Sequence, residues 1–312
     1  MDTALASAVV GTHFPGRAVA SVDPLSAGKR PTAVVRFRAH PAVVVQFSAD
    51  GERVRTEAAL VAAVRERTTV PAPAVLATGT REGRGYAVSE YRRGADLHTS
   101  FADSAPPVRR SLAEQFGRYL GELHAAFPFE GCGRLVRAPD GDPNALVASA
   151  PDCHRWLVSY GRRAVDRLPA AFDPLRDRLR DCLDAAAPAA PTPRLFPWDL
   201  RPGNALAADG AVRAVVDWER PMTAPPALAL AKLAYLVADW YVPEPAPLRR
   251  AVRRGYEAVR PVPTVAPVHR VVAVADSAVD SRATVTNPGY PPRERDAAVA
   301  FHRASLSAAL PD

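Results

Sequence analysis

The sequence is almost without lysine. Of its 40 basic residues only Lys29 and Lys232 are lysines, and the rest are arginines. That skew reads first as a GC-rich coding bias and second as a surface able to meet phosphates. Cysteine is scarce as well: Cys132, Cys153 and Cys182 are widely spaced, with no CxxC pair. An odd number at such spacing predicts three reduced thiols in a cytoplasmic protein. His124, Cys132, Cys153 and His154 match no common zinc-ligand spacing. Long apolar runs are missing too. Ala227 to Val242 is interrupted by Lys232 and Asp239 and is too short to span a bilayer, so no membrane is expected as a partner. The first arginine is Arg17, so a secretory signal is not expected either. What is present is ordinary for a globular chain: 312 residues, 48% hydrophobic, 23% charged, net charge +7. That length suits one large domain or two lobes sharing a cleft.

The first third is strand-rich. Ala33 to Arg38 and Ala42 to Phe47 are β-branched runs broken at His40-Pro41. Glu52 to Arg67 carries Val54, Ala58, Val61 and Val64 at helical spacing. Strand candidates follow at residues 74–78 and 85–91. Val43 to Val45 do not alternate with polar residues, which predicts a strand buried on both faces. Beyond Arg93-Gly94 the pattern is helical, at about 107–127, 155–168, 175–186, 227–242, 247–260, 264–282 and 292–310. A Gly/Pro-rich stretch, Pro128 to Pro151, reads as irregular. The layout predicts an α+β protein of two lobes: residues 1–94 with an antiparallel sheet, and a larger, mostly helical 95–312.

One segment carries chemistry, LFPWDLRPGNALAADGAVRAVVDWE from Leu195 to Glu219. Two short strands, Ala205 to Ala208 and Val212 to Val216, flank an Asp209-Gly210 turn. Asp199 and Asn204 precede this hairpin and Asp217 ends it, so three oxygen-bearing side chains converge. Hard oxygen donors suit Mg²⁺ shared with substrate phosphates. D-x₄-N followed by a second Asp is the arrangement of a kinase catalytic loop and its metal-binding Asp.

The segment resembles the aminoglycoside phosphotransferase-like family of the protein-kinase-like fold, in Pro197-Trp198-Asp199-Leu200-Arg201-Pro202-Gly203-Asn204 and then Val216-Asp217-Trp218-Glu219. Val70-Pro-Ala-Pro-Ala-Val75, Tyr86 to Tyr91 and Leu120-Gly-Glu-Leu-His124 resemble other family elements in the right order. The resemblance implies a bilobal fold and transfer of the ATP γ-phosphate to a hydroxyl of an amino-sugar, sugar or related metabolite. It implies Asp199 as the base for the acceptor hydroxyl, Arg201 facing the γ-phosphate, and Asn204 and Asp217 as Mg²⁺ ligands. Glu57 matches the helix glutamate that pairs with a phosphate-anchoring lysine, and backbone atoms at Ser89, Glu90 and Tyr91 match the adenine hinge.

The chain departs from the pattern in places. Gln46 stands where the anchoring lysine belongs, Pro197-Trp198 replaces His-Gly, and Ala229 replaces a downstream Asp. The rival reading is a pseudokinase-like nucleotide-binding protein that has lost turnover with its lysine. An RNA-binding reading resting on Arg249-Arg250 and Arg253-Arg254 lacks any interleaved stacking aromatics, so no nucleic acid is expected as a partner. The sequence does not reach oligomeric state.

Overall fold

Backbone pairing of the β-branched runs builds the first sheet. In the computed structural model, which describes residues 3–25, 30–139, 145–187 and 191–311, the chain opens with helix α1 (Thr3–His13). Strands β1 (Val19–Leu25), β2 (Thr32–Phe37) and β3 (Val43–Ser48) follow, then α2 (Gly51–Arg67), β4 (Val75–Arg81) and β5 (Arg84–Glu90). The five strands form one antiparallel sheet in the order β1-β2-β3-β5-β4. Four of the strands and α2 lie where hydrophobic periodicity predicts them. Neither α1 nor β1 was expected. Lys29 lies outside the described residues.

Helix α1 explains a correction on β3. Burial there alternates: Val43, Val45 and Phe47 are buried, while Val44, Gln46 and Ser48 are partly covered. The buried face packs with Leu5, Val9, Val10, Val35, Tyr86 and Val88 into a small core roofed by α1. Gln46 therefore stands on the opposite face, with Val44, and not in a strand buried on both sides. Helix α2 starts at Asp50, whose carboxylate accepts a hydrogen bond from the Arg53 amide at 2.9 Å. It packs so closely on β5 that a Cβ at Gly85 would come within 2.5 Å of the Gly51 Cα.

After the first sheet the chain turns through β6 (Ala95–Asp96) and α3 (Leu97–Ser100) into α4 (Pro106–Ala126). Next come the hairpin β7 (Cys132–Arg137) and β8 (Leu146–Ala150), then α5 (Cys153–Asp166), α6 (Asp173–Asp184) and β9 (Arg194–Phe196). Strands β10 (Ala205–Ala208), β11 (Ala211–Val215) and β12 (Met222–Ala224) precede the helices α7 (Pro226–Ala234), α8 (Ala246–Glu257), α9 (Pro267–Ala278) and α10 (Arg295–Ala309). The helix expected over 227–242 instead changes pitch, with α7 running into a π turn at Tyr235–Asp239. Helices α4 and α8 touch backbone to backbone: a Cβ at Gly117 would overlap the Val252 carbonyl, and one at Gly255 the Glu114 carbonyl. Leu112, Phe116, Leu120, Leu123, Leu228, Val252 and Tyr256 lie in the large core of this helical half.

The stretch expected to be irregular, 128–151, holds the β7–β8 hairpin, and residues 140–144 lie outside the described residues. Its register brings Cys132 opposite Ala150. The chain then turns into α5 at Cys153, and the two cysteines, 5.0 Å apart at Cα, form a disulfide. Cys182 is a free, buried thiol. The expectation of three reduced thiols is thus corrected, because pairing depends on a hairpin that spacing does not announce. The cysteines carry no argument for a reducing compartment. Among the described residues no helix is long and apolar enough to cross a membrane.

Candidate active site

The segment from Leu195 to Glu219 folds as its turn residues dictate. Pro202–Asn204 form a 3₁₀ turn, and Asp209 and Gly210, both at positive φ (54° and 70°), make the tight connection between β10 and β11. Asp217 itself sits at φ 60°, a left-handed conformation that Asp tolerates and that recurs at functional sites.

Asp199, Asn204 and Asp217 come together as the spacing implies. Asn204 Nδ2 donates to the Asp199 carbonyl at 2.9 Å and to its Oδ2 at 3.0 Å. The Val216 amide donates to the Asn204 carbonyl at 2.9 Å, tying the loop to the strand that delivers Asp217. With its amide nitrogen committed, buried Asn204 keeps Oδ1 for a cation. Burial, and then the Glu219 and Asp199 carboxylates, push Asp217 up to about 6. It is a carboxylate short of positive charge. Among the described residues no three His, Cys, Asp or Glu side chains group as a self-sufficient metal site. One Asp and one Asn nevertheless fit Mg²⁺, which takes its remaining ligands from phosphate and water.

Arg201 lies where its neighbours pull it. Its Nε is 2.9 Å from Asp199 Oδ1, and its guanidinium lies over the Trp240 ring at 5.2 Å. Burial opposes its charge, but Asp199 more than offsets this and its pKa is raised. His98 and Tyr241 flank the same place, His98 Nδ1 lying 3.3 Å from the Tyr241 hydroxyl, and the Tyr290 ring packs edge-on to His98.

Glu57 finds its cation in Arg30, two residues before β2. Arg30 Nη1 and Nη2 donate to Glu57 Oε2 and Oε1 at 2.6 and 2.7 Å, and Arg30 Nε lies 2.9 Å from Glu219 Oε1. Arg53 closes a ring, donating to Glu57 and to Glu219, each at 2.9 Å. Gln46 Oε1 accepts from Arg30 Nη1 at 3.4 Å. Burial works against the Arg30 charge, but Glu57, Glu219 and Asp217 raise its pKa. Sequence reasoning missed Arg30, although the β2–β3 register pairs Thr32 with Gln46 and so places residue 30 at the same end.

The hinge stretch is partly spoken for. The Glu90 amide donates to the Ala74 carbonyl at 2.9 Å and the Tyr91 amide to Ala42 at 3.3 Å. Glu90 Oε2 accepts from the Ala74 amide at 3.0 Å. A purine beside this strand would therefore have to use carbonyls from Ser89 to Tyr91, or amides further along.

Behind the catalytic loop lies a second network missed from sequence. Trp198 Nε1 donates to Asp276 Oδ2 at 2.8 Å, sharing the proton with the Tyr160 hydroxyl at 3.0 Å. Asp276 also takes a short hydrogen bond from Lys232 and one of 3.1 Å from Arg167. Lys232 Nζ stands 4.4 Å from the Trp198 ring centroid. Burial opposes the Asp276 charge, but Lys232 and the other donors hold its pKa below the usual range. A cavity of about 920 Å³ among α7, α8, α9 and α10 lies apart, lined by none of the catalytic-segment residues.

An antiparallel sheet backed by helix α2, set over a helical half with D-x₄-N and a second Asp between them, defines the protein-kinase-like bilobal fold. Residues 21–268 match the model of the phosphotransferase enzyme family, and the chain belongs to that family of enzymes. No curated protein sequence matches it. Among solved structures it is similar to a protein named as an aminoglycoside phosphotransferase from Ralstonia eutropha JMP134, with TM-score 0.65 and 18% identity, covering 99% of this chain and 98% of that one. A thermostable mutant of aminoglycoside phosphotransferase APH(4)-Ia, in ternary complex with AMP-PNP and hygromycin B, gives 0.63 and 15% identity, covering 97% of each chain. A protein named as a fructosamine-3-kinase from Haemophilus somnus 129PT gives 0.58 and 14% identity, covering 98% and 97%.

Proposed function

We propose that this protein is an ATP- and Mg²⁺-dependent small-molecule kinase, transferring the γ-phosphate to a hydroxyl of an amino-sugar, sugar or related metabolite. The observation that carries the reading is the Asp199–Asn204 hydrogen bond at 3.0 Å beside Asp217. The acceptor class is supported by the names of the structural neighbours, which include aminoglycoside phosphotransferases and a fructosamine-3-kinase. The nucleotide is held between residues 1–94 and 95–312, with adenine against Ser89 to Tyr91.

Asp199 accepts the acceptor's hydroxyl proton while that oxygen attacks the γ-phosphorus and ADP leaves. Asn204 orients the carboxylate through Oδ2. Arg201 swings from Asp199 towards the transferring phosphoryl group, freeing Oδ1 and meeting the charge that develops there. Asn204 Oδ1 and Asp217 would hold Mg²⁺, which would supply positive charge against the nucleotide phosphates.

The test is nucleotide binding and ATP turnover with and without Mg²⁺, over a panel of hydroxyl acceptors. Asp199→Asn is expected to lower turnover by about 10²–10⁴-fold while nucleotide still binds. Mg²⁺-dependent binding without turnover by the wild type would support the pseudokinase alternative. Absence of nucleotide binding would remove both.

A further inference from the structure

The chain keeps the helix glutamate and both metal-side residues yet has Gln46 at the strand position for a phosphate-anchoring lysine. Arg30 occupies the space beside it. Its side chain is only 9% exposed and Glu57 only 12%, so their ion pair is not a solvated surface contact. Burying two arginines and two glutamates is costly unless every charge is paired, and a purely structural core would do as well with apolar residues. The pairing also has a direction. Glu57 comes from α2 and Glu219 lies two residues after Asp217, so one guanidinium joins the helix to the segment that follows β11.

The remaining donors face no other partner among the described residues. Arg30 spends Nε on Glu219, one Nη2 hydrogen on Glu57, and its two Nη1 hydrogens on Glu57 and Gln46. One Nη2 hydrogen is left. Gln46 offers its oxygen to Arg30, so both hydrogens of its amide are left as well. A lysine ammonium could not hold Glu57 through two parallel bonds and Glu219 through a third while keeping a donor in reserve.

We propose that Arg30, assisted by the Gln46 amide, is the phosphate-binding group of this enzyme, supplied from the segment leading into β2 and not from β3. The proposal rests on the kinase reading above. Arg30 holds the α- and β-phosphates, and Glu57 and Glu219 orient it as Glu57 alone would orient a β3 lysine.

The experiment is calorimetric titration of Mg·AMP-PNP, Mg·ADP and adenosine into the wild type, Arg30→Gln, Arg30→Lys, Lys29→Gln and the double variant Arg30→Gln/Gln46→Lys, with melting temperatures recorded for each. Arg30→Gln is expected to weaken Mg·AMP-PNP and Mg·ADP by at least about tenfold and leave adenosine unchanged. The double variant, with a cation restored on β3, is expected to regain most of that loss. Lys29→Gln is expected to bind as the wild type does. If Arg30→Gln does not fold, Arg30→Lys, which keeps the charge but not the fork, is expected to fold and to show an intermediate loss confined to the two nucleotides. Wild-type nucleotide affinity in Arg30→Gln, or a loss shown by Lys29→Gln instead, overturns the assignment while leaving the kinase reading intact. A fall for adenosine and nucleotides alike, unrelieved in the double variant, makes Arg30 structural and also overturns it. A folded wild type that binds no nucleotide ends the kinase reading, and this proposal with it.

Discussion

Trp198 hydrogen-bonds the buried carboxylate of Asp276 through its indole nitrogen at 2.8 Å, and the next residue along the chain is Asp199, the proposed base. The indole is also capped by Lys232 at 4.4 Å, so edge and face are both fixed. A Pro-Trp pair thereby acquires a brace that neither residue carries alone. Trp198→Phe keeps the ring and deletes the donor, and should lower kcat about tenfold with KM for ATP unchanged. Steady-state kinetics check this, and a matching rise in KM would point to a disturbed nucleotide site instead.

The same network predicts a stability asymmetry. Lys232→Met leaves Asp276 buried with Arg167, Trp198 and Tyr160, and should cost about 3–5 kcal/mol in urea unfolding. Replacing both charges, Lys232→Met with Asp276→Leu, should cost less than the single change, since no buried charge is left unpaired and Arg167, which loses Asp276, is exposed enough to be solvated.

Asp217 predicts a conflict between function and stability. Its pKa is raised to about 6 from an ordinary 3.8, chiefly by burial, so ionising it costs the folded state. Stability is full below the unfolded value and is lost as pH rises through the folded one. Asp217→Asn should therefore be more stable than the wild type at pH 8, by up to about 3 kcal/mol without Mg²⁺, and the gap should close by pH 4. Mg²⁺-dependent nucleotide binding should be lost in the same variant.

Two buried histidines, with half-buried His269 also lowered to about 4, weaken the fold in acid. Burial lowers His124 to about 3 and His302 to about 4, each beside a tyrosine hydroxyl. A histidine kept neutral in the fold contributes stability above its unfolded pKa and loses it as pH falls. In the Asp217→Asn background, which removes one of the two carboxylates raised by burial, the histidines should lower unfolding free energy by about 2 kcal/mol each between pH 6.5 and 5.

The α4–α8 crossing predicts a glycine requirement. Gly255→Ala drives a methyl group into the Glu114 carbonyl, and the about 1–3 kcal/mol of overpacking should exceed the about 1 kcal/mol gained in helix propensity. Thermal unfolding reads the net loss.

Local signals were legible and distant ones were not. Hydrophobic period marked α2, α4 and α8, and the D-x₄-N spacing with its turn placed Asp199, Asn204 and Asp217 together. Helix α1 stayed hidden because it is apolar nearly all round, without a polar face to show a helical period. The Cys132–Cys153 bond depends on a hairpin inside a Gly/Pro-rich stretch. Arg30 and Asp276 act across 27 and 78 residues of chain, on Glu57 and Trp198, and no periodicity spans such intervals.

The ion pair between Arg201 and Asp199 has a consequence for economy. A carboxylate oxygen engaged at 2.9 Å by a guanidinium is not open to an acceptor hydroxyl until something draws that arginine aside. Water entering an empty acceptor site brings no group that competes for it. Resting enzyme loaded with nucleotide should thus squander little ATP, and hydrolysis measured without acceptor should stay far below transfer measured with one.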